Sequence, residues 1–206
     1  MDSPSGPLPA DAMKTVFLDR DGVVNEKKPE GQYVRSPEEL HLLPGAAEAI
    51  ARLNRACVRV VVVSNQRGVA LGLYTAEDVL AIHAKLLSLL KVKDAHVDAF
   101  YFCPHDRGEC DCRKPLPGMF DQAVADFPEV KAENSLMVGD SLSDIEFGRR
   151  LGMKTVFIEG DPERRKAGGE AAGDLADYRF PSLAAAVEGL LPLPVKFSSH
   201  PPPPVF

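Results

Sequence analysis

Three aliphatic runs constrain this chain most: Val16-Phe17-Leu18, Val58 to Val63 (Val-Arg-Val-Val-Val-Val) and Leu136-Met137-Val138. None alternates apolar with polar, so each reads as a strand covered on both faces, as in a parallel sheet flanked by helices. Each run also ends in small or charged residues: Asp19-Arg20-Asp21-Gly22, Ser64-Asn65-Gln66 and Gly139-Asp140. Parallel strands present their carboxyl ends at one edge, where open α/β sheets bind ligands. Asp19, Asp21, Ser64 and Asp140 are therefore expected to converge.

Between these runs the signals alternate. Helices are expected over Gly45 to Ala56, from an N-cap at Thr75 to about Leu90, from Pro117-Gly118 to Phe127, over Leu142 to Leu151, and over Ser182 to Leu191. Strands are expected at Val97 to Phe102, Lys154 to Ile158 and, at an edge, Tyr178 to Phe180. Val23 to Leu43, broken by Pro29, Gly31 and Pro37, reads as a site-covering loop without a core element, and Asp161 to Asp174 as a mobile surface loop. The expected architecture is α/β, a Rossmann-like three-layer sandwich with a mainly parallel sheet and no large cap domain. One domain spans 13–191. Residues 1–12 read as a disordered extension without a secretory signal, and 192–206, with six prolines, as an extended tail.

The 206 residues carry a formal charge of −6, which argues against a general nucleic-acid or membrane-surface binder. No apolar run approaches a membrane span. Three of the four cysteines fall within ten residues, which fits a reducing compartment and a metal cluster better than a disulfide framework. A cytoplasmic monomer acting on a small molecule is expected.

The residue types at the strand ends suit phosphoryl transfer. Asp19 is the candidate nucleophile, giving an aspartyl-phosphate, and Asp21 the candidate acid and then base. Asp140, Asp19 and the backbone carbonyl of Asp21 are candidate Mg²⁺ ligands. Ser64 offers a hydroxyl to a phosphoryl oxygen, Lys114 a cation for the transferring group, and Arg113 a bidentate partner for a second anionic group. Each has a plainer alternative: Ser64-Asn65 as a strand terminator, Gly139-Asp140 as a turn, Arg113-Lys114 as a solvated pair. Cys103, His105, Cys110 and Cys112 have the number and type of ligands of a closed structural Zn²⁺ site, with unliganded thiols or a redox pair as alternatives. Such a site would pin the loop and place Arg113 and Lys114. Cys57 reads as core packing.

With these residues together, the chain resembles the haloacid dehalogenase superfamily of phosphatases. Asp19-Arg-Asp21-Gly22, Ser64-Asn65, Lys114, and Gly139-Asp140 with Asp144 match its four motifs. Cys103-Pro-His105 and Cys110-x-Cys112-Arg113-Lys114-Pro115 look like the zinc loop of the D-glycero-D-manno-heptose-1,7-bisphosphate 7-phosphatase and histidinol-phosphatase branch. Tyr33-Val34, Asn65-Gln66-Arg67-Gly68 and Pro117-Gly118-Met119 are more like the heptose enzymes, which implies that Tyr33, Gln66, Arg67 and Arg113 contribute to substrate selection. The four residues between His105 and Cys110 are more like the histidinol phosphatases, and Ser141 stands where some heptose enzymes place a lysine. The resemblance implies an open site and hydrolysis of the 7-phosphate of a heptose 1,7-bisphosphate. Histidinol phosphate is the alternative substrate, and a non-catalytic phosphoacceptor the alternative class.

Overall fold

Four consecutive valines, Val60 to Val63, are fully buried at the centre of the fold, each contributing about 1.5–3 kcal/mol relative to exposure. They lie in β2 (Arg59–Asn65) of a six-stranded sheet in the computed structural model, which describes residues 13–161 and 168–191. The other strands are β1 (Thr15–Leu18), β3 (Ala99–Cys103), β4 (Ser135–Gly139), β5 (Lys154–Ile158) and β6 (Tyr178–Phe180). Their order is β3-β2-β1-β4-β5-β6 and every neighbouring pair is parallel.

Successive side chains leave opposite faces of a strand, and two cores follow. Val16, Leu18, Val60, Val62, Leu136 and Val138 pack with α1 (Ala46–Arg55), α3 (Ala76–Lys91) and α7 (Leu183–Leu190), and a single-turn α2 (Arg67–Ala70) lies between β2 and α3. Phe17, Val61, Val63 and Met137 pack with Met119 and Ala123 of α4 (Gly118–Asp126) and Phe147 of α5 (Leu142–Leu151). The three-layer sandwich is thus present. Helix α3 starts where expected: Asp78 N–H donates to Thr75 Oγ1 at 3.2 Å and Thr75 N–H to Asp78 Oδ2 at 2.8 Å. Among the described residues no helix is long and apolar enough to cross a membrane.

Three expectations are corrected. Val23, Val24, Val34 and Leu40 are buried, so the stretch after β1, which also borders the site through Asn25 and Lys27, does contribute to the core; bridges Asp21–Asn25 and Asn25–Leu42 fix its ends. The second half of the expected 161–174 loop is α6 (Gly169–Leu175), whose Ala172 is fully buried against Ile145 and Phe157. Cys57 is exposed in a left-handed turn (φ 58°) after α1 and is not a packing residue. The expected extensions 1–12 and 192–206, and 162–167 of the loop, lie outside the described residues.

One buried group carries a testable cost. The His83 ring of α3 stacks on Phe100 at 4.4 Å, and neither of its nitrogens has a hydrogen-bond partner among the described residues. Burial, with the Arg20 guanidinium adding and Asp21 opposing, pushes its pKa from 6.5 down to about 3. The unfolded chain takes up this proton first as pH falls. Stability should therefore drop by about 1.4 kcal/mol per pH unit below 6.5 until the folded ring titrates. His83→Phe is expected to flatten the fall of Tm between pH 6.5 and about pH 4.5; an unchanged slope would remove His83 as the cause.

Candidate active site

The ends of β1, β2 and β4 come together as the sequence requires. Asp19 follows β1, Ser64 and Asn65 close β2, and Asp140 follows β4. Lys114 arrives from the loop after β3 and is almost fully buried. Its ammonium donates to Asp19 Oδ1 at 2.9 Å and to the Val63 carbonyl at 2.7 Å, and meets Asp144 Oδ1 at 2.6 Å. Asn65 grips the lysine's backbone on both sides: Nδ2–H donates to Lys114 O at 3.1 Å, and Lys114 N–H donates to Asn65 Oδ1 at 3.0 Å. Strand β2 therefore sets the position of the cation.

Oxygens of Asp19, Asp140 and Asp144 lie within 4.8 Å of one another. Burial pushes the Asp19 carboxyl up to about 7, with Asp144, Asp140 and Asp21 adding and only Lys114 opposing. Asp140 forms an ion pair with Lys27. Asp144 divides its oxygens: Oδ2 accepts from Ser141 N–H at 3.0 Å and Ser141 O–H at 2.6 Å, capping α5, while Oδ1 faces Lys114. The approach is close enough to require glycines. A Cβ at Gly22 (φ 96°) would sit 2.2 Å from Asp140 Oδ2, and one at Gly139 would sit 2.1 Å from the Cβ of Asp144.

Asp21 is held differently. Arg20, fully buried, donates from Nη2 to both its oxygens at 3.0 and 2.9 Å. Asn25 Nδ2–H reaches Oδ1 at 2.9 Å and Gln66 Nε2–H reaches Oδ2 at 3.1 Å. Burial pushes this carboxyl up, yet Arg20 and these donors outweigh it and hold the pKa below the usual value. Asp21 is a carboxylate at rest, while its neighbour Asp19 is pushed towards protonation.

The other expected site residues are engaged with protein groups. Ser64, buried, accepts from Gln66 Nε2–H at 2.6 Å, and Gln66 Oε1 accepts from the Tyr74 hydroxyl at 2.8 Å. The Tyr33 ring stands against Tyr74 at 5.8 Å. Arg67 pairs with Asp106, and Arg113 Nη1–H reaches His105 O at 3.4 Å. Asp144 was expected only as a member of the fourth motif, and Arg20, Asn25, Lys27 and Asp106 were not among the expected site residues. Arg20 alone had a readable signal: between two aspartates on one face, it must turn into the core and find a carboxylate.

The four soft ligands also meet. Cys103 Sγ lies 3.4 Å from Cys110 Sγ, Cys112 Sγ lies 3.3 Å from Cys110 Sγ and from His105 Nδ1, and all four atoms fall within 4.8 Å of one another. These spacings exceed a disulfide bond of about 2.05 Å. They approach the edge of about 3.8 Å expected of a tetrahedron with metal–sulfur distances of about 2.3 Å. Burial and the neighbouring thiols push the Cys112 thiol up, a penalty that a cation at the centre would remove.

The chain is similar to known proteins over most of its length. A family model described as "HAD-hyrolase-like" matches residues 111–186. The D-glycero-alpha-D-manno-heptose-1,7-bisphosphate 7-phosphatase of Mycobacterium tuberculosis (strain CDC 1551 / Oshkosh) is 40% identical over 169 residues, covering 82% of this chain and 86% of that protein. The D-glycero-beta-D-manno-heptose-1,7-bisphosphate 7-phosphatase of Bordetella bronchiseptica is 43% identical over 182 residues, covering 87% and 98%. A crystal structure of D,D-heptose 1,7-bisphosphate phosphatase from B. bronchiseptica, complexed with magnesium and phosphate, superposes with a TM-score of 0.76 at 37% identity over 85% of this chain and 97% of that one. With its relatives matched over most of their length, this chain belongs to the D-glycero-D-manno-heptose-1,7-bisphosphate 7-phosphatase family of the haloacid dehalogenase superfamily.

Proposed function

We propose that this chain is a Mg²⁺-dependent phosphomonoesterase that removes the 7-phosphate of D-glycero-D-manno-heptose 1,7-bisphosphate through an aspartyl-phosphate on Asp19. The observation that carries the reading is the buried Asp19 carboxylate, tied to Lys114 beside Asp140 and Asp144. Family membership supports it: relatives named for this reaction match most of the chain.

The residues fit a divalent cation. Asp19, Asp140 and Asp144 each bring a carboxylate oxygen within 4.8 Å of the others, the hard oxygen donors that such a cation takes. Burial, with the neighbouring carboxylates adding, pushes Asp19 up to about 7, and a bound cation would favour its charged form. Asp19, Asp140 and the Asp21 carbonyl would hold Mg²⁺, which supplies charge neutralisation on the phosphoryl oxygens.

An Asp19 oxygen attacks phosphorus in line as the bond to the sugar oxygen breaks. Lys114 faces the transferring group, and Ser64 offers its hydroxyl hydrogen. Asp21 gives the leaving alkoxide a proton that enters with the substrate, because its own carboxyl is ionised at rest. As a carboxylate again, Asp21 takes a proton from water, and that water releases phosphate from Asp19. Arg113, with Tyr33, selects the remainder of the substrate, while Arg67 is engaged with Asp106.

The Cys/His cluster holds Zn²⁺ in this reading and has no open position, so its role is to fix the loop. Thiolate ligands suit the reducing cytoplasm. Phosphate release from heptose 1,7-bisphosphate should require Mg²⁺ and exceed that from histidinol phosphate by about a hundredfold or more in kcat/KM. Equal or reversed rates would overturn the substrate, and Mg²⁺-independent turnover the mechanism.

A further inference from the structure

Three consecutive side chains at the end of β2 serve three different parts of the site. Asn65 holds the backbone of Lys114, Gln66 holds Asp21, and Arg67 reaches the Cys/His loop. There Arg67 Nε–H donates to Asp106 Oδ1 at 2.6 Å and Nη2–H to Oδ2 at 3.0 Å, a bidentate pair. Asp106 is itself fixed within its turn: Oδ1 accepts from Arg107 N–H at 2.6 Å, and its own N–H donates to Glu109 Oε2 at 2.9 Å. The hydrogen bonds from Arg67 and Arg107 hold the Asp106 carboxyl down at about 2, with Arg113 close enough to contribute.

The loop needs such a tie. Ligands at 103, 105, 110 and 112 anchor its base, whereas the tip from Asp106 to Glu109 lies between His105 and Cys110, held by none of them. Arg113 is tied to the same loop, its Nη1–H reaching the carbonyl of His105, the residue before Asp106, at 3.4 Å. Arg67, Arg107 and Arg113 lie on the β2–β3 side.

We propose that the Arg67–Asp106 pair is a latch that fixes the tip of the Cys/His loop and so positions Arg113 for the substrate's second phosphate. Arg67 is thereby a positioning residue, its guanidinium spent on the loop rather than on the sugar. The substrate half of this inference rests on the bisphosphate reading.

The test uses zinc-loaded protein as Asp106→Asn, Arg67→Gln and the double variant, with heptose 1,7-bisphosphate and p-nitrophenyl phosphate, an ester without a second phosphate. Asp106→Asn should raise KM for the bisphosphate about fivefold, with its kcat and p-nitrophenyl phosphate turnover unchanged. The double variant should be no worse than either single one. An unchanged KM, equal losses on both substrates, or effects that multiply would overturn the latch. So would a lower KM, because a released Arg67 would then be gripping substrate. Zinc release to a chelating dye needs no substrate and should be about fivefold faster in Asp106→Asn; an unchanged rate overturns the latch even where the bisphosphate is hydrolysed. Faster release in a protein that leaves the bisphosphate intact supports the latch and removes the substrate assignment.

Discussion

Asp19→Asn is expected to lower kcat by at least about 10⁴-fold while leaving the protein folded. The amide has nearly the volume of the carboxyl, and Lys114 retains Asp144 at 2.6 Å and the Val63 carbonyl at 2.7 Å. Folding should not suffer, because burial already pushes the native carboxyl up to about 7 and a neutral side chain escapes that cost. Tm should be unchanged or higher, and covalent phosphate on the protein after rapid quenching should vanish. Turnover within about tenfold of the native enzyme would remove Asp19 as nucleophile and make its role electrostatic. Retained covalent phosphate at another aspartate would reassign the nucleophile outright.

Cys112→Ser should strip the protein of zinc and lower both its stability and its turnover. Structural zinc contributes on the order of 10 kcal/mol in small sites, so losing one of four ligands should cost several kcal/mol locally. The segment from Pro104 to Glu109 has no buried apolar side chain to compensate. Because Lys114 lies two residues beyond Cys112, kcat should fall by about tenfold to a hundredfold as well. Cys57→Ser, at an exposed turn, is the matched control and should change neither zinc content nor Tm. Metal analysis with thermal denaturation reads both. Full zinc occupancy in Cys112→Ser, or none in the native protein, would overturn the cluster assignment.

Sequence reading succeeded where the signal was local. Helix α5 could be bounded at Leu142 and Leu151 because Ser141 and Gly152 punctuate it, and the structure uses both as caps. The aliphatic runs located the sheet for a similar reason, since uninterrupted burial leaves its mark in consecutive residues. Helix α6 escaped because Gly168, Gly169 and Gly173 interrupt a short stretch with no long apolar residue before Leu175 to mark a face, and its place is decided by Ala172 meeting Phe157. Val23 and Val24 were overlooked as core because only two apolar residues stand together in a polar stretch. At the site, residue types were legible but partners were not. Lys27 meets a carboxylate 113 positions away, Arg67 one 39 positions away, and nothing in either neighbourhood announces the pairing.

The division of labour at the end of β2 bears on how such an enzyme can diversify. Ser64 to Arg67 work like the clasp of a necklace, where acid, cation and selectivity loop are fastened within four residues. A one-residue slip in β2 would send each side chain to the wrong face and unfasten all of them together. Changes in the loops that the clasp holds alter one strand of beads at a time. New substrate preferences should therefore arise by rewriting loop tips such as Asp106 to Glu109, while the clasp itself admits almost no trial variants.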